Sequence, residues 1–280
     1  MKRIRLATGL IACAFALLCR SGAAHEVELH VSDRWEECSM QLDSSLSQEA
    51  WRQFTQEAGI IAALDPLTSA KPFGRGSFDI SLTPAVYPID DTSSAWNDTF
   101  VHPHSTHWLY GDLPEEPGGV TQGHSDSRHS LALPLPRVRV GVTDRMDVGF
   151  YYIPAPGANY AFLGGHLQSN VLSDAKRGLN AAVRLRVAQL RNVEDFGVST
   201  YALDVLASKD ISIFSAYAGV SGYMARGHET TPTVDLDDET VFGMEGHVGA
   251  SALLFSHLRL GAQLTVGRLT YPAITLAFAR

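Results

Sequence analysis

The sequence predicts an all-β protein: a transmembrane antiparallel up-and-down β-barrel of about ten strands, preceded by a short periplasmic amphipathic helix. Three observations predict this fold. An export signal opens the chain, apolar and polar residues alternate along much of residues 71–280, and the connections between alternating segments are mostly short at one end. The 22 basic residues are outnumbered by 30 acidic ones and form no large cluster, which excludes nucleic acid as a partner.

Residues 1–24 are predicted to be a signal peptide. A cationic stretch beginning at Lys2 precedes an apolar run over residues 6–19, and small residues suited to cleavage follow. The run is shorter than the roughly 20 apolar residues of a membrane-spanning helix, which disfavours an anchor. A lipobox ending at Cys13 is the alternative. Cleavage after residue 24 leaves Cys38 without an intramolecular partner, so no disulfide framework is predicted.

Residues 25–70 are predicted to form a periplasmic N-terminal segment that contains one helix. Over residues 44–64 apolar residues recur at helical spacing, while polar residues, Glu57 among them, occupy the other face. The pattern ends just before Pro66, which cannot continue a helix. We interpret the helix as packing against the domain that follows; a plug or a partner-binding helix is the alternative.

Residues 71–280 are predicted to form the barrel, with a long external loop over residues 88–134. From residue 71 onward the hydrophobic period changes from helical to two, as in a strand with two different faces. Most of the segments exceed the five or six residues of a typical soluble strand and suit a tilted crossing of a bilayer. The predicted strands are 77–86, 137–142, 148–152, 159–167, 181–191, 198–207, 211–224, 240–254, 257–266 and 273–280.

The polar faces of these strands carry small residues and a few charges. Such residues suit a narrow lumen in which arginines pair with carboxylates, while the apolar faces meet lipid. Within the lumen, Glu245 and His247 are two residues apart and could form an acid/base pair, although a structural network with the arginines is the preferred interpretation. The predicted lumen-facing residues are Asp79, Arg137, Arg139, Arg184, Arg186, Asp204, Glu245, His247 and Arg259.

The export signal, the strands and a C-terminus that ends within a strand resemble Gram-negative outer-membrane β-barrel proteins. The stretches KPFG (71–74), GSFD (76–79) and LPRVR (135–139) also resemble a poorly characterised group of such barrels, over residues 71–280. The resemblance implies the cell outer membrane as location, outer-membrane lipid as surroundings and the barrel-assembly machinery as a partner. No signature of omptin-type proteases or lipid A deacylases is found, and we predict neither enzyme activity nor a cofactor.

The long external loop is rich in histidine. His102, His104 and His107 are candidate metal ligands, but their spacing is not that of an established site, and a solvated loop is the preferred interpretation. The acidic run 235–239 could hold calcium, but it lacks the glycine and spacing of an EF-hand loop, so we interpret it as a solvated loop.

Three functions remain compatible with the sequence. The first is a barrel that passes or binds small solutes or hydrophobic compounds through a narrow charged lumen, with a small molecule as ligand. The second is a closed structural or surface-interaction barrel, and the third, which we favour least, is an outer-membrane hydrolase. A narrow lumen disfavours a wide general porin.

Overall fold

The computed structural model describes residues 42, 46–88, 93–97, 130–154, 161–193, 195–232 and 234–280. All ten strands belong to a closed antiparallel barrel in which each strand pairs with its neighbours in sequence and β10 closes on β1. The predicted ten-stranded barrel, preceded by one short helix, is therefore confirmed. The elements are α1 (Gln48–Ala62), β1 (Phe78–Pro88), α2 (Ser94–Asn97), β2 (Ser130–Gly141), β3 (Met146–Pro154), β4 (Ala161–Asp174), β5 (Leu179–Arg191), β6 (Phe196–Ile211), β7 (Phe214–Glu229), β8 (Glu239–Leu254), β9 (Leu258–Val266) and β10 (Tyr271–Ala279).

The period of two separates the inner face of the barrel from its outer face. On β1, Asp79 and Ser81 are buried, whereas Ile80 and Leu82 are 54% and 49% exposed. Ile80 lies opposite Phe278 of β10 in the closing ladder, and Phe278 is exposed as well. The outer surface is therefore an apolar band, and the polar side chains point into the lumen.

The two ends of the barrel differ in their connections. We call one the turn end, because its connections are 142–145, 175–178, 212–213 and 255–257, and the other the loop end, which carries 89–129 and 230–238. The connection predicted over 168–180 is shorter than expected, because the β4–β5 ladder continues through a register shift between Asn170 and Leu172. The loop predicted over 88–134 spans 89–129, since β2 already begins at Ser130.

Helix α1 lies inside the barrel, which corrects its predicted periplasmic position. Its N-terminus is capped by Ser47, whose hydroxyl accepts a hydrogen bond from the amide of Ala50 at 3.3 Å. The helix packs against the inner faces of β4 to β8. The rings of Trp51 and Phe54 pack nearly perpendicular to the ring of Phe196, at centroid distances of 5.6 and 5.5 Å from it. The apolar face that predicted a packed helix is thus buried in the lumen.

The chain continues through the lumen after the helix. Residues 57–68 are all buried, and we call residues 46–73 the luminal segment. At the loop end, Gln48 donates to the Glu239 carboxylate at 2.6 Å. At the turn end, the amide of Phe73 donates to Asp147 at 3.0 Å. The luminal segment therefore runs from the loop end to the turn end, where β1 begins.

The fit between helix and barrel depends on small residues. A Cβ atom added at Gly59 would lie 2.5 Å from the Cβ of Ala225, so the helix approaches β7 more closely than any other residue type would allow at this position. Glu57, on the predicted polar face of the helix, is buried as well, and Arg268 donates to its carboxylate at 2.9 Å. A lumen surrounds the helix, so both of its faces need partners.

Within the described residues, no helix has the length and apolar character needed to cross a membrane.

Candidate functional site

The candidate functional site is the polar network that joins the barrel wall to the luminal segment. Its centre is Asp65, which lies three residues after the end of α1. One carboxylate oxygen of Asp65 accepts from Arg137 at 2.7 Å, and the other is bonded to His166 and lies 3.6 Å from Arg184. All four side chains are almost completely buried. Asp65 therefore ties β2, β4 and β5 to one point of the luminal segment.

The carbonyl groups at the end of α1 are also satisfied by the barrel wall. A helix leaves its last four carbonyls without helical partners. Here Tyr151 donates to the carbonyl of Ala62 at 2.5 Å, and Arg186 donates to that of Ala63 at 2.7 Å. The wall thus supplies the C-terminal cap that the sequence of the helix lacks.

Beyond Asp65 the backbone of the luminal segment has no regular structure, and wall side chains bind it directly. Arg184 donates to the carbonyl of Asp65 at 2.8 Å, and Arg137 donates to that of Pro66 at 2.9 Å. Nearer the turn end, Asn170 donates to the carbonyl of Ala70 at 2.9 Å. Buried backbone groups must find hydrogen-bond partners. These inward polar residues provide them.

A second carboxylate, Asp204 of β6, holds the arginines in place. Arg184 donates to it at 2.6 Å and Arg186 at 2.9 Å, from the neighbouring strand β5. Ser221 donates to the same carboxylate at 2.6 Å. Two arginines that would repel each other thus share one buried counter-ion, and their outer nitrogens reach the luminal segment.

Glu245 and His247 do not form the acid/base pair that their two-residue spacing would allow. The Nε2 atom of His247 lies 2.6 Å from the Ser221 hydroxyl, and its Nδ1 atom lies 3.1 Å from the Thr265 hydroxyl. One oxygen of Glu245 has no hydrogen-bond partner among the described residues. Because Ser221 gives its single proton to Asp204, its hydroxyl accepts from His247. The imidazole is therefore a donor to the serine here and not its base.

The remaining predicted lumen residues lie near the turn end. Arg139 donates to Thr68 at 2.5 Å and to Asp147 at 2.8 Å. Asp79 is fully buried, and neither of its carboxylate oxygens has a hydrogen-bond partner among the described residues. Arg259 is 26% exposed and its Nη1 atom lies 3.8 Å from the Asp79 carboxylate. The two arginines balance the charges of Asp79 and Asp147, but direct hydrogen bonds do not join all four side chains.

The acidic run at the loop end also has a structural use. His228 and Arg226 donate to the two carboxylate oxygens of Asp238, at 2.5 and 3.1 Å, and these bonds lower the pKa of Asp238. The amide of Asp237 donates to the side chain of Gln48 at 3.0 Å, which fastens the loop to the start of α1. No cluster of metal ligands occurs in the part of the chain that the structure describes.

The histidines His102, His104 and His107 fall outside the described residues. The same is true of the predicted signal peptide, residues 1–24. The metal-site and cleavage predictions therefore stay predictions.

Comparisons with known proteins return structures and no sequence relatives. No family model matches the chain, and no curated protein does. Among solved structures, a loop-deletion mutant of OmpT from Vibrio cholerae is 14% identical with a TM-score of 0.31, over 56% of this chain and 57% of that one. Neisserial surface protein A is 10% identical with a TM-score of 0.27, over 73% and 98%. The outer-membrane protease OmpT from Escherichia coli is 8% identical with a TM-score of 0.31, over 72% and 95%.

The outer surface of the barrel is apolar. Aromatic and aliphatic side chains such as Phe242 (71% exposed) and Val248 (55%) face outward along closed strands that leave no unpaired edge. The closed sheet and the apolar outer surface are those of a barrel that crosses a membrane with its strands. In bacterial outer-membrane barrels short turns face the periplasm and longer loops face the exterior, so we expect the turn end to be periplasmic and the loop end external.

Asp65 and His166 are among the members of the luminal network that the sequence did not predict. Asp65 directly precedes Pro66, where the helical pattern ends, and nothing in its local sequence distinguishes a turn residue from a buried anion. His166 lies in the strand with the least regular alternation, where glycines and aromatic residues occupy both faces. A Cβ atom at Gly149 would lie 2.2 Å from the His166 ring. Gly149, opposite His166 on the neighbouring strand β3, thus makes room for the imidazole.

Proposed function

We propose that this protein is a closed outer-membrane barrel whose resting state does not conduct solutes. The observation that supports this proposal is the luminal segment, which crosses the barrel from the external to the periplasmic end and is bonded to the wall along its length. A ten-stranded barrel encloses a narrow lumen, and a helix with its side chains is about 10–12 Å wide.

The lumen charges have a role in this proposal that differs from solute selection. An arginine that selects solutes must keep hydrogen-bond donors free for them. Arg137, Arg184 and Arg186 instead bind Asp65, Asp204 and carbonyl groups of the luminal segment. These arginines attach the luminal segment to the barrel wall.

Gated passage of small solutes is the second candidate. The luminal segment is held by side chains and is not a strand of the sheet, so its withdrawal would leave the ten-stranded wall intact. The wall would then present polar and charged side chains to water. Such a gate would have to break the buried contacts of Asp65, which favours the closed barrel as the resting state.

We also propose that the lumen has no hydrolytic activity. A serine nucleophile needs a base that accepts its proton, and here Ser221 is held between Asp204 and a histidine that donates to it. We propose the lipid around the outer band and the barrel-assembly machinery as the partners of this barrel.

Planar-bilayer recordings of the refolded mature protein test the proposal. The wild type is expected to show no single-channel steps, whereas a variant that lacks residues 46–70 is expected to conduct, provided that unboiled and boiled samples still migrate differently in gels. Discrete steps from the wild type would overturn the closed barrel. Wild-type openings that appear only when a small solute is added would favour gated passage instead.

A further inference from the structure

A cavity of about 300 Å³ lies at the periplasmic end of the barrel, beneath the luminal segment. It is bounded on one side by residues 69–73 of that segment and on the other by the 210–215 turn region and the wall strands β8 and β9. Its volume lies at the lower end of the range of small-molecule sites, about 300–1,000 Å³. The cavity lies at the periplasmic end of the luminal segment, so access to it from the periplasm does not depend on whether the lumen conducts.

The charged lining of the cavity is mostly cationic. Lys71, Arg139 and Arg259 line it, against one carboxylate, Asp210. Lys71 is exposed and its ammonium group lies 3.7 Å from Asp210. The two arginines are less exposed and lie on β2 and β9, and both approach the ring of Phe73 with their guanidinium carbons 4.1 and 5.5 Å from its centroid.

The two arginines are fixed to different degrees. Arg139 is held by Thr68 and Asp147, yet its Nε atom is buried without a hydrogen-bond partner among the described residues. Arg259 forms no hydrogen bond with the described residues. Its guanidinium lies over the ring of Phe73 and 3.8 Å from the Asp79 carboxylate. A guanidinium has five N–H donors in a planar fork. Arg259 therefore brings N–H donors that have no partner among the described residues to the cavity, from a half-buried position.

We propose that this cavity binds the carboxylate or phosphate group of a periplasmic anion, with Arg259 as its principal ligand. The planar fork of arginine matches two oxygens of such a group, and the stacking on Phe73 orients the guanidinium without using its donors. Arg139 and Lys71 add positive charge, and the Ser215 and Ser251 hydroxyls line the same space. The anion can be a free small molecule or a peptide carboxylate of the cell-wall polymer.

A simpler role for Arg259 would be that of counter-ion to Asp79. The geometry does not favour it, because the two groups are 3.8 Å apart and both Asp79 oxygens lack hydrogen-bond partners among the described residues. The two roles predict different results for the wild type. If Arg259 binds an external anion, the wild type binds it, and removal of the nearby negative charge by Asp79→Asn leaves binding unchanged or makes it tighter. If Arg259 serves only Asp79, the wild type binds no anion.

Isothermal titration of the refolded mature protein in neutral detergent, with sodium propionate and with inorganic phosphate, tests the site at low ionic strength. Saturable binding of either anion is expected, and Arg259→Gln is expected to weaken it about tenfold or more through loss of charge-assisted hydrogen bonds. Arg177→Gln is the matched control, because this exposed arginine lies at the same end but outside the cavity. It should leave the affinity unchanged.

Co-sedimentation with purified peptidoglycan distinguishes the two sources of the anion. Binding of the free anions points to a small solute, and binding of the polymer alone points to its peptide carboxylates; in either case Arg259→Gln must abolish or weaken it. The proposal is overturned if neither is bound, or if Arg259→Gln and Arg177→Gln bind as the wild type does.

Discussion

Asp65→Ala is expected to lower the free energy of unfolding by about 3–5 kcal/mol, the cost of removing one partner from a buried ion pair. The substitution leaves the buried Arg137 without its 2.7 Å carboxylate and removes the partner of His166. Asp204 lies on the wall and pairs with two wall arginines, whereas Asp65 belongs to the luminal segment. Its loss therefore weakens the attachment of the luminal segment to the wall.

Urea unfolding in detergent, followed by the loss of heat-modifiable migration, measures this effect. Asp238→Ala is the control, since that carboxylate also binds an arginine and a histidine but is largely exposed at the loop end. Exposed pairs contribute about 0–1 kcal/mol. Equal destabilisation by the two substitutions would mean that Asp65 does not hold the luminal segment.

Gly59→Leu is expected to displace α1 from the lumen. A Cβ atom at this position would already lie 2.5 Å from the Cβ of Ala225 and 2.9 Å from the Thr200 hydroxyl, so a leucine side chain has no space. Overpacking of a well-filled interior costs about 1–3 kcal/mol, and the barrel wall cannot widen without breaking its ladders. The expected results are a lower unfolding free energy and protease cleavage within the luminal segment.

Gly222→Leu is the matched control, because Gly222 faces outward on β7 with nothing within 4 Å of an added Cβ. It should change the stability by no more than about 0.5 kcal/mol. Gly59→Ala should be milder and should be partly rescued by Ala225→Gly, since the two Cβ positions collide. An absence of coupling between these two substitutions would contradict the packing of α1 against β7.

The strand period predicted the barrel, because each residue's position in the alternation decides whether it meets lipid or lumen. It placed Arg184, Arg186 and Asp204 on the polar face, and the structure brings them together across β5 and β6. The period carries no information about what fills the lumen. That depends on contacts between distant parts of the chain, such as the one between Asp65 and Arg184.

The predicted periplasmic position of α1 was wrong for a physical reason. An amphipathic pattern shows that one face of a helix is buried, but a lumen made of small and polar side chains buries it as well as a second domain does. The buried polar residues Thr55 and Glu57 could not be told from solvated ones by spacing alone. The sequence pattern likewise predicts no element between the end of the helix near Pro66 and the strand that begins at residue 77, although wall side chains bind the backbone there.

The central claim is that residues 46–73 occupy the lumen, and a disulfide between plug and wall tests it most directly. The hydroxyl oxygens of Ser69 and Ser208 lie 3.0 Å apart. In a Cys38→Ser background, Ser69→Cys combined with Ser208→Cys is expected to form a disulfide in isolated outer membranes, seen as a reductant-sensitive shift of the boiled protein. Ser69→Cys with Ser199→Cys, on the outer face near the loop end, should form none. If the first pair stays reduced under oxidation, or both pairs crosslink equally, the luminal segment does not lie where the structure places it.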